Sequence, residues 1–359
     1  MGIYRMEGMS SRWDAALDAF GHLISAQPYT QFESKLLVDG AIEWWDEANV
    51  GVAGTTGTWN SAHSDYTLAT LANTAHSRVR QSLVSMPYQA GKAGQAIITC
   101  CPGASIPGST AEWGLFNDAG GLGWRRGPSG LSIFERKGSV DTVVKPRSEW
   151  LNPNAWYDQA FDGIFGIQYA WLGVGVVRFF MVRGGRATLC HEITHENALT
   201  HPYLTTPVLP FRLRLANDGT GAADSFTVIC CDHESIGGRQ STGLNRTADR
   251  GVTGITASGQ TITPLVSIRL GSGSKRNAII LPDSFSVLTT TTSDYRWMIL
   301  HDHTLTGATW AGTSGPVDVD TAATAVTGGF AMWSGYDQQS NAAGLSRNLS
   351  GARWLGEKL

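Results

Sequence analysis

The stretch LCHEITHENALTH contains residues with the types and spacing of a zinc site. His191, Glu192, His195 and His201 spell H-E-x-x-H-x-x-x-x-x-H. In such a site the three histidines bind zinc, and the glutamate acts as general base. The pattern departs from the metalloprotease signature at Ala198, where that signature has the glycine that breaks the helix.

The surrounding residues favour a strand over the helix that a zinc protease requires. In VVRFFMVRGGRATLCHEITH, Gly184–Gly185 form a two-residue hairpin turn between β-branched and aromatic residues. On a strand, His191 and His195 would share one face and Glu192 would point to the other, so the general base would be lost. We therefore expect a half-buried strand with two hydrogen-bonded histidines. A structural metal on His191, His195 and His201, or a zinc hydrolase, is kept as the minor alternative.

Other short patterns give weaker signals for chemistry. GSGSK lacks the spacing of a phosphate-binding loop, so we expect a hairpin turn there. HDH at residues 301–303 could bind metal but is more typical of a polar strand end, and Asp318 and Asp320 lack the rest of a calcium loop. No G-x-S-x-G elbow is present. We therefore predict no catalytic residue, no cofactor and no enzymatic activity.

Two adjacent tryptophans are candidates for ligand binding. On a strand, one of Trp44 and Trp45 would face the core and the other the solvent. An exposed tryptophan can stack on a sugar ring, whereas most tryptophans of a β-rich chain lie in the core. A carbohydrate platform therefore stands as an alternative reading.

The composition indicates many short strands joined by tight turns. The 359 residues are 42% hydrophobic and only 16% charged, with 43 glycines and 13 tryptophans. The net charge of −3 comes without a dense run of Lys or Arg, so we expect no nucleic-acid partner.

The N-terminus lacks the apolar segment of a secretion signal. The apolar stretch GIFGIQYAWLGVGVVRFFMV contains Gln168 and Arg178, which favours two buried strands with a turn at Gly173–Gly175 over membrane insertion.

The five cysteines do not form a convincing disulfide framework. Two adjacent pairs and a single residue make up the set: Cys100, Cys101, Cys190, Cys230 and Cys231. Because neighbours on a strand point to opposite faces, we expect one buried thiol in each pair. This usage fits synthesis in a reducing compartment.

The order of local patterns predicts a mainly β fold with a short helical arm. Trp13, Ala16, Leu17 and Phe20 have helical spacing, and this segment would either pack on the body or dock on a neighbouring subunit. Short β-type runs separated by turn residues then follow. We predict an antiparallel β-sandwich, jelly-roll-like, divided into three parts. These are a docking arm at 1–40, a sandwich body at 41–240 and a β region at 241–359 that packs on the body or completes it.

Several segments, taken in order, resemble a group of tailed-bacteriophage virion proteins. DAFGHLISAQPYTQFESK is similar to their DAFGRLRVS-P-TLFDSK opening, and IQYAWLGVGVVRFFMV to F-WLGVGRVRFGFV. CHEITHENALTHPYLTTPVLPFRLRLAN resembles HEF-HAN-LTTPYMTTPNLPVRYEI-N, and the similarity runs from about residue 18 to 335. His201 falls where the pattern has Thr, and Val177 and His22 fall where it has Arg.

The resemblance implies a structural component of a phage particle and adds no catalytic residue. Its place would be the tail, collar or baseplate, or a head-surface decoration, after synthesis in the host bacterial cytoplasm. We expect it to assemble as a symmetric homo-oligomer with copies of itself and other virion proteins. Contacts to the neighbouring subunit would come from Trp13, Leu17, Phe20 and Phe32. The alternative is a carbohydrate-binding, receptor-recognising phage protein whose partner is a glycan of the host surface.

Overall fold

The computed structural model describes most of the chain. The described residues are 20, 28–37, 44–54, 56–155, 161–238, 247–251, 254–257, 259, 261–271, 280, 284–288, 294–312, 317–337 and 346–350. The chain divides into two compact units, one of Met1–Ser241 with Gly356–Leu359 and one of Thr242–Leu355. Each unit is described by itself below.

The first unit is an antiparallel β-sandwich of two sheets, whose strands are numbered in chain order. The eight-stranded sheet consists of β1 (Tyr29–Lys35), β3 (Gly57–Asn60), β4 (Asp65–Thr70), β6 (Ala93–Cys101), β11 (Gly163–Tyr169), β12 (Val177–Arg183), β13 (Arg186–Ile193) and β15 (Asp224–Ile236). Its order is β13-β12-β11-β6-β15-β4-β3, and β1 also pairs with β15.

The second sheet of the sandwich has seven strands. They are β2 (Trp45–Val50), β5 (Ala75–Met86), β7 (Ser109–Phe116), β8 (Gly120–Gly127), β9 (Gly130–Lys137), β10 (Val140–Pro146) and β14 (Leu209–Asp218). The order is β10-β9-β8-β7-β14-β5-β2, and every pairing is antiparallel. The jelly-roll-like sandwich predicted from the sequence is therefore confirmed.

Large aromatic side chains fill the space between the two sheets. Trp113 on β7 packs edge-on against Phe165 on β11, with ring centroids 5.0 Å apart, and lies 5.6 Å from Phe226 on β15. Trp124 on β8 contacts the same Phe165 at 5.3 Å. Both tryptophans are fully buried, and edge-to-face pairs of this kind add to the free energy gained from burial.

The second unit contains three small antiparallel sheets. Its strands are β16 (Ser267–Leu270), β17 (Ser284–Leu288), β18 (Tyr295–Thr306), β19 (Ala311–Gly312), β20 (Val317–Asp320), β21 (Ala325–Asp337) and β22 (Ser346–Ser350). They are ordered β16-β20-β19, β17-β22 and β18-β21. That this region packs on the sandwich or completes it stays a prediction.

The described residues contain no α-helix, only one 3-10 turn at Arg147–Glu149. The helix expected within residues 12–26 lies outside the described residues except for Phe20, which is in a turn. The described part of the expected docking arm at 1–40 includes β1, which is a strand of the eight-stranded sheet. None of the described residues belongs to a helix with the length and apolarity needed to span a bilayer.

Two local predictions are confirmed by the strands. The apolar stretch after residue 162 forms β11 and β12, with no helix between them. Each adjacent cysteine pair has one buried member, Cys100 and Cys231, while Cys101 and Cys230 are partly exposed. All five cysteines are free.

Candidate functional site

The HEITH segment begins in a hairpin strand, as the sequence predicts. Gly184 and Gly185, with φ of +57° and +72°, form the turn that joins β12 to β13, and only glycine adopts two such angles at low cost. His191 on β13 is buried, and its Nδ1 accepts a hydrogen bond from the Leu151 amide at 3.3 Å. Glu192 points to the other face, where it binds Arg178 Nε at 2.7 Å.

His195 lies beyond the end of β13, which corrects the expectation that it continues the strand face of His191. It is 3% exposed, and its ring stacks on Tyr203 with centroids 3.9 Å apart. Nδ1 lies 2.7 Å from the Gly175 carbonyl oxygen, and Nε2 lies 2.7 Å from Glu135 Oε2. Both nitrogens are therefore occupied by protein oxygens, so neither is free to bind a metal.

The zinc ligand set is not brought together. His201 is exposed, and its only described hydrogen bond joins Nδ1 to the carbonyl oxygen of Thr200. Among the residues that the structure describes, no group of three or more His, Cys, Asp or Glu side chains could hold a metal ion. The minor alternative of a zinc hydrolase therefore gains no support from this geometry.

The weaker sequence patterns have structural roles where they are described. Asp320 is buried, and its carboxylate accepts hydrogen bonds from the amides of Thr309, Ala322 and Ala323, so it caps a turn. The Asp318 carboxylate is paired with Arg269, not with a calcium ion shared with Asp320. HDH lies within β18, and GSGSK lies outside the described residues apart from Gly271.

The residues expected to dock on a neighbouring subunit are distributed differently. Trp13 and Leu17 lie outside the described residues. Phe20 packs against a buried cluster of its own chain that includes Ala170 and Val176. Phe32 is 4% exposed, so this chain already covers the side chain that was expected to meet a neighbour.

The two adjacent tryptophans divide between core and surface. Trp45 is 5% exposed and donates its indole hydrogen to Ser34 Oγ at 2.9 Å. Trp44, just before β2, is 50% exposed and meets the ring of Phe32 edge-on. A single exposed indole of this kind can contact a sugar.

A concave site does occur on the outer face of the seven-stranded sheet. It is a depression of about 580 Å³ that crosses six of the seven strands, from β2 to β9. Residues Thr110, Ala216, Ser77 and Val50 are direct cross-strand partners in one row, which we call its floor. We call this site the arginine trough, defined by its floor row together with Glu112, Arg125, Arg136 and Arg214.

The charged side of the trough is organised around one buried carboxylate. Glu112 Oε1 accepts hydrogen bonds from Arg125 Nε at 2.9 Å and from Arg136 Nη2 at 3.2 Å. Its Oε2 accepts from Arg214 Nη1 at 3.1 Å. Asp141 joins Arg125 and Arg136 from the far side, at 2.5 Å and 2.8 Å. The arginines are therefore held in place by carboxylates and do not depend on a ligand for their position.

The electrostatics keep this cluster fully ionised. Burial opposes the charged form of Glu112, but Arg125, Arg136 and Arg214 outweigh it and hold the pKa of this carboxyl below its usual value. Asp141 likewise has a pKa below its usual value, because its hydrogen bonds to Arg125 and Arg136 outweigh burial. Neither carboxyl is suited to donate a proton near neutral pH. The arrangement is suited to binding by fixed charges and hydrogen bonds.

Sequence reasoning missed this site, although part of its signal is visible. In FRLRLAND, arginines alternate with apolar residues, a pattern that is typical of a strand with one polar face. Glu112 follows the same alternation between Ala111 and Trp113. The alternation predicts that these charges face outward, but only the strand order places β14 beside β7 and so Arg214 beside Glu112.

Comparisons with known proteins assign no family to this chain. No protein-family model matches the sequence, and no curated protein matches it. Among solved structures, the chain is similar to a Bacillus licheniformis β-glucanase, with 11% identity, a TM-score of 0.40 and coverage of 58% of this chain and 99% of that one. A glycosyl hydrolase family protein from Mycobacterium fortuitum has 13% identity, a TM-score of 0.38 and coverage of 57% and 99%. The carbohydrate recognition domain of Emp46p, metal-free form, has 11% identity, a TM-score of 0.37 and coverage of 57% and 95%.

These structures correct the prediction that the chain is not an enzyme. Solved hydrolases are among the structures that resemble it, so that prediction is wrong as it was drawn from the sequence. Similarities at this identity assign neither a reaction nor a substrate to this chain.

Proposed function

We propose that this chain binds saccharide through the arginine trough and serves a phage particle as a receptor-recognition protein. The observation that carries the proposal is the trough itself, a preformed depression across six strands with arginines fixed along one side. Ligand sites are commonly concave, largely preformed and few in a protein.

The size and lining of the trough suit a short saccharide. Its volume of about 580 Å³ lies within the range of roughly 300–1,000 Å³ for small-molecule sites. The half-buried Thr110 makes no hydrogen bond to another described side chain, so its hydroxyl is available to a sugar hydroxyl. The flat floor at Ala216 allows a sugar ring to approach the backbone closely.

The resemblance to tailed-phage virion proteins supplies the biological setting of the proposal. A protein on the outside of a phage particle meets the glycans of the host surface before any other host component. The partners we propose are therefore a host surface glycan, further copies of the chain and other virion proteins. The site of action is the virion.

Binding to an array of immobilised bacterial surface saccharides tests the proposal. The purified full-length chain should be retained by a restricted set of saccharides, with a dissociation constant in the micromolar to millimolar range. Folding of the sample is verified by its near-ultraviolet circular dichroism, since Trp113, Trp124 and Trp150 are buried. Retention by no saccharide, from a folded sample, would count against the proposal.

A second candidate function, assembly within the particle, is favoured by a separate observation in the second unit. Phe330, Met332 and Trp333 on β21 are 58%, 37% and 37% exposed in the single chain. Large apolar side chains exposed together often mark contacts between proteins. Light scattering across a concentration series tests this function, with a defined homo-oligomer expected. A monomer at every concentration would count against it.

A further inference from the structure

We propose that the arginine trough selects acidic saccharides, and that the carboxylate of a uronic acid unit binds beside Arg214. This inference rests on the proposed function and names its ligand class. It is carried by the charge balance of the cluster, by the hydrogen-bond donors that the cluster leaves unused, and by the packing that holds the guanidinium groups in place.

The charge balance of the cluster favours an anion. Three guanidinium groups, of Arg125, Arg136 and Arg214, face two carboxylates, of Glu112 and Asp141. One positive charge is therefore left over. The neighbouring Arg212 leaves this balance unchanged, because Asp118 pairs with it at 2.5 Å.

A further carboxylate in the trough is too distant to cancel this charge. Asp218 lies four residues beyond Arg214 on β14, which is about 13 Å along an extended strand. Its Oδ1 is hydrogen-bonded to both the amide and the hydroxyl of Thr220. Exposed charges farther apart than a Debye length of about 8 Å are largely screened at physiological ionic strength. The arginine side of the trough therefore attracts an anion.

The cluster also leaves hydrogen-bond donors unused. The Nη1 of Arg214 donates a hydrogen bond to Glu112. Its Nε and Nη2 make no hydrogen bond to any residue that the structure describes. Its side chain is 35% exposed, more than those of Arg125 and Arg136, at 18% and 13%. Parallel N–H groups on one guanidinium match the two oxygens of a carboxylate. Arg214 is thus the residue best placed to bind it directly.

Packing beneath the arginines fixes their orientation before a ligand arrives. The Phe134 ring lies 4.7 Å from the Arg125 guanidinium carbon and 5.0 Å from that of Arg136. Together with Glu112, this ring holds both groups in one geometry, so less conformational entropy is lost on binding. Arg125, Arg136 and Glu112 therefore act as positioning residues for the site.

Calorimetry with matched pairs of uronic acid trisaccharides tests the inference on the full-length chain. Each pair consists of a free acid (galacturonate, glucuronate or mannuronate) and its methyl ester, which differ in charge but hardly in shape. For at least one pair, the acid should bind about tenfold more tightly than the ester, because a charge-assisted pair of hydrogen bonds is lost. The difference should shrink as salt is added.

Variants of one arginine locate the effect. Arg214→Gln should weaken binding of the acid about tenfold and weaken binding of the ester less, so that the preference for the acid shrinks, and Arg214→Lys should fall between Gln and wild type. Arg178→Gln is the control, because Arg178 is likewise a partly buried arginine paired with a glutamate, with its side chain 18% exposed against 35% for Arg214, but it lies on the eight-stranded sheet. Thermal unfolding of each variant confirms that it is folded.

The three ways in which these experiments can fail are distinguishable. If neutral saccharides of the array bind and no acid is preferred over its ester, acid selection is wrong while saccharide binding stands. If an acid is preferred but Arg214→Gln does not change that preference, the site is misplaced and the inference fails. If nothing on the array binds, both the inference and the proposed function fail.

Discussion

His195 and Glu135 form a buried hydrogen-bonded ion pair, with Nε2 and Oε2 2.7 Å apart. The other histidine nitrogen lies 2.7 Å from the Gly175 carbonyl oxygen, so both partners of the ring are acceptors. A ring that donates from both nitrogens is an imidazolium. The pair joins the segment after β13, in one sheet, to β9 in the other, and so connects the two sheets of the sandwich.

The His195 pair should make stability fall as pH rises. Burial opposes the charge, but the hydrogen bonds to Glu135 and Gly175 outweigh it and raise the pKa of His195 above its usual value. A raised folded-state pKa contributes stability that is complete below the unfolded pKa of about 6.5 and is lost as pH rises through the folded value. We expect His195→Gln to lower the free energy of unfolding by about 3 kcal/mol at pH 5, and by less at pH 9.

Urea denaturation at the two pH values measures this effect, with His201→Gln as the control. His201 is exposed, so its substitution should leave the free energy of unfolding unchanged at both pH values. An effect of His195→Gln that is larger at pH 9 than at pH 5 would contradict the imidazolium assignment.

A second histidine should give a pH dependence of the opposite sign. His233 is 1% exposed, and burial lowers its pKa to about 3. A depressed folded-state pKa means that the unfolded chain binds the proton first, so stability is lost as pH falls from about 6.5 toward about 3. In that window His233→Gln should reduce the slope of unfolding free energy against pH by about 1.4 kcal/mol per pH unit.

The comparison of His233→Gln with the wild type isolates this effect from other titrations. Burial and the nearby Glu234 raise the pKa of Asp232 to about 7, which acts in the opposite direction but is present in both proteins. Equal slopes in the two proteins between pH 6.5 and pH 4, measured by denaturant titration, would show that His233 does not titrate as we expect.

A buried ion pair that joins β8 to β15 should be costly to break. Arg126 is fully buried and donates to Asp224 Oδ2 at 2.5 Å, to Ser109 Oγ at 3.4 Å and to the Pro102 carbonyl oxygen at 3.1 Å. Arg126→Met would leave the Asp224 carboxylate buried without its counter-ion. We expect the free energy of unfolding to fall by about 3–5 kcal/mol.

A variant that breaks an exposed ion pair is the control for that prediction, and denaturant unfolding measures the free energy of unfolding of both variants. Lys145 and Glu149 form a surface ion pair at 3.0 Å, and Lys145→Met should change the free energy of unfolding by less than about 1 kcal/mol. Similar losses from Arg126→Met and Lys145→Met would mean that the buried pair is not a main connection between the sheets.

The sequence predicts the sandwich well because its signals are local. The hairpin turn at Gly184–Gly185 requires positive φ, and one of the two adjacent tryptophans at the start of β2 is buried while the other is exposed, as the sequence predicts. The position and contacts of His195 do not depend on local sequence. The strand ends two residues before it, and its partner Glu135 is sixty positions away in the sequence.

The assembly of the candidate site could not be predicted from the sequence for the same reason. Glu112, Arg125, Arg136 and Arg214 come from four strands, and six strands of the two sheets separate β7 from its neighbour β14 along the chain. Alternation shows that each charge faces outward, but not which charges meet. Strand order, which is set by the packing of both sheets, decides that.

Blocking the trough tests the central claim most directly. Ala216→Trp places a large ring on the floor of the arginine trough, whereas Ala187→Trp places the same ring on the outer face of the eight-stranded sheet. On the saccharide array, Ala216→Trp should lose binding and Ala187→Trp should bind as the wild type does. Undiminished binding by a folded Ala216→Trp variant would show that saccharide does not bind in the trough.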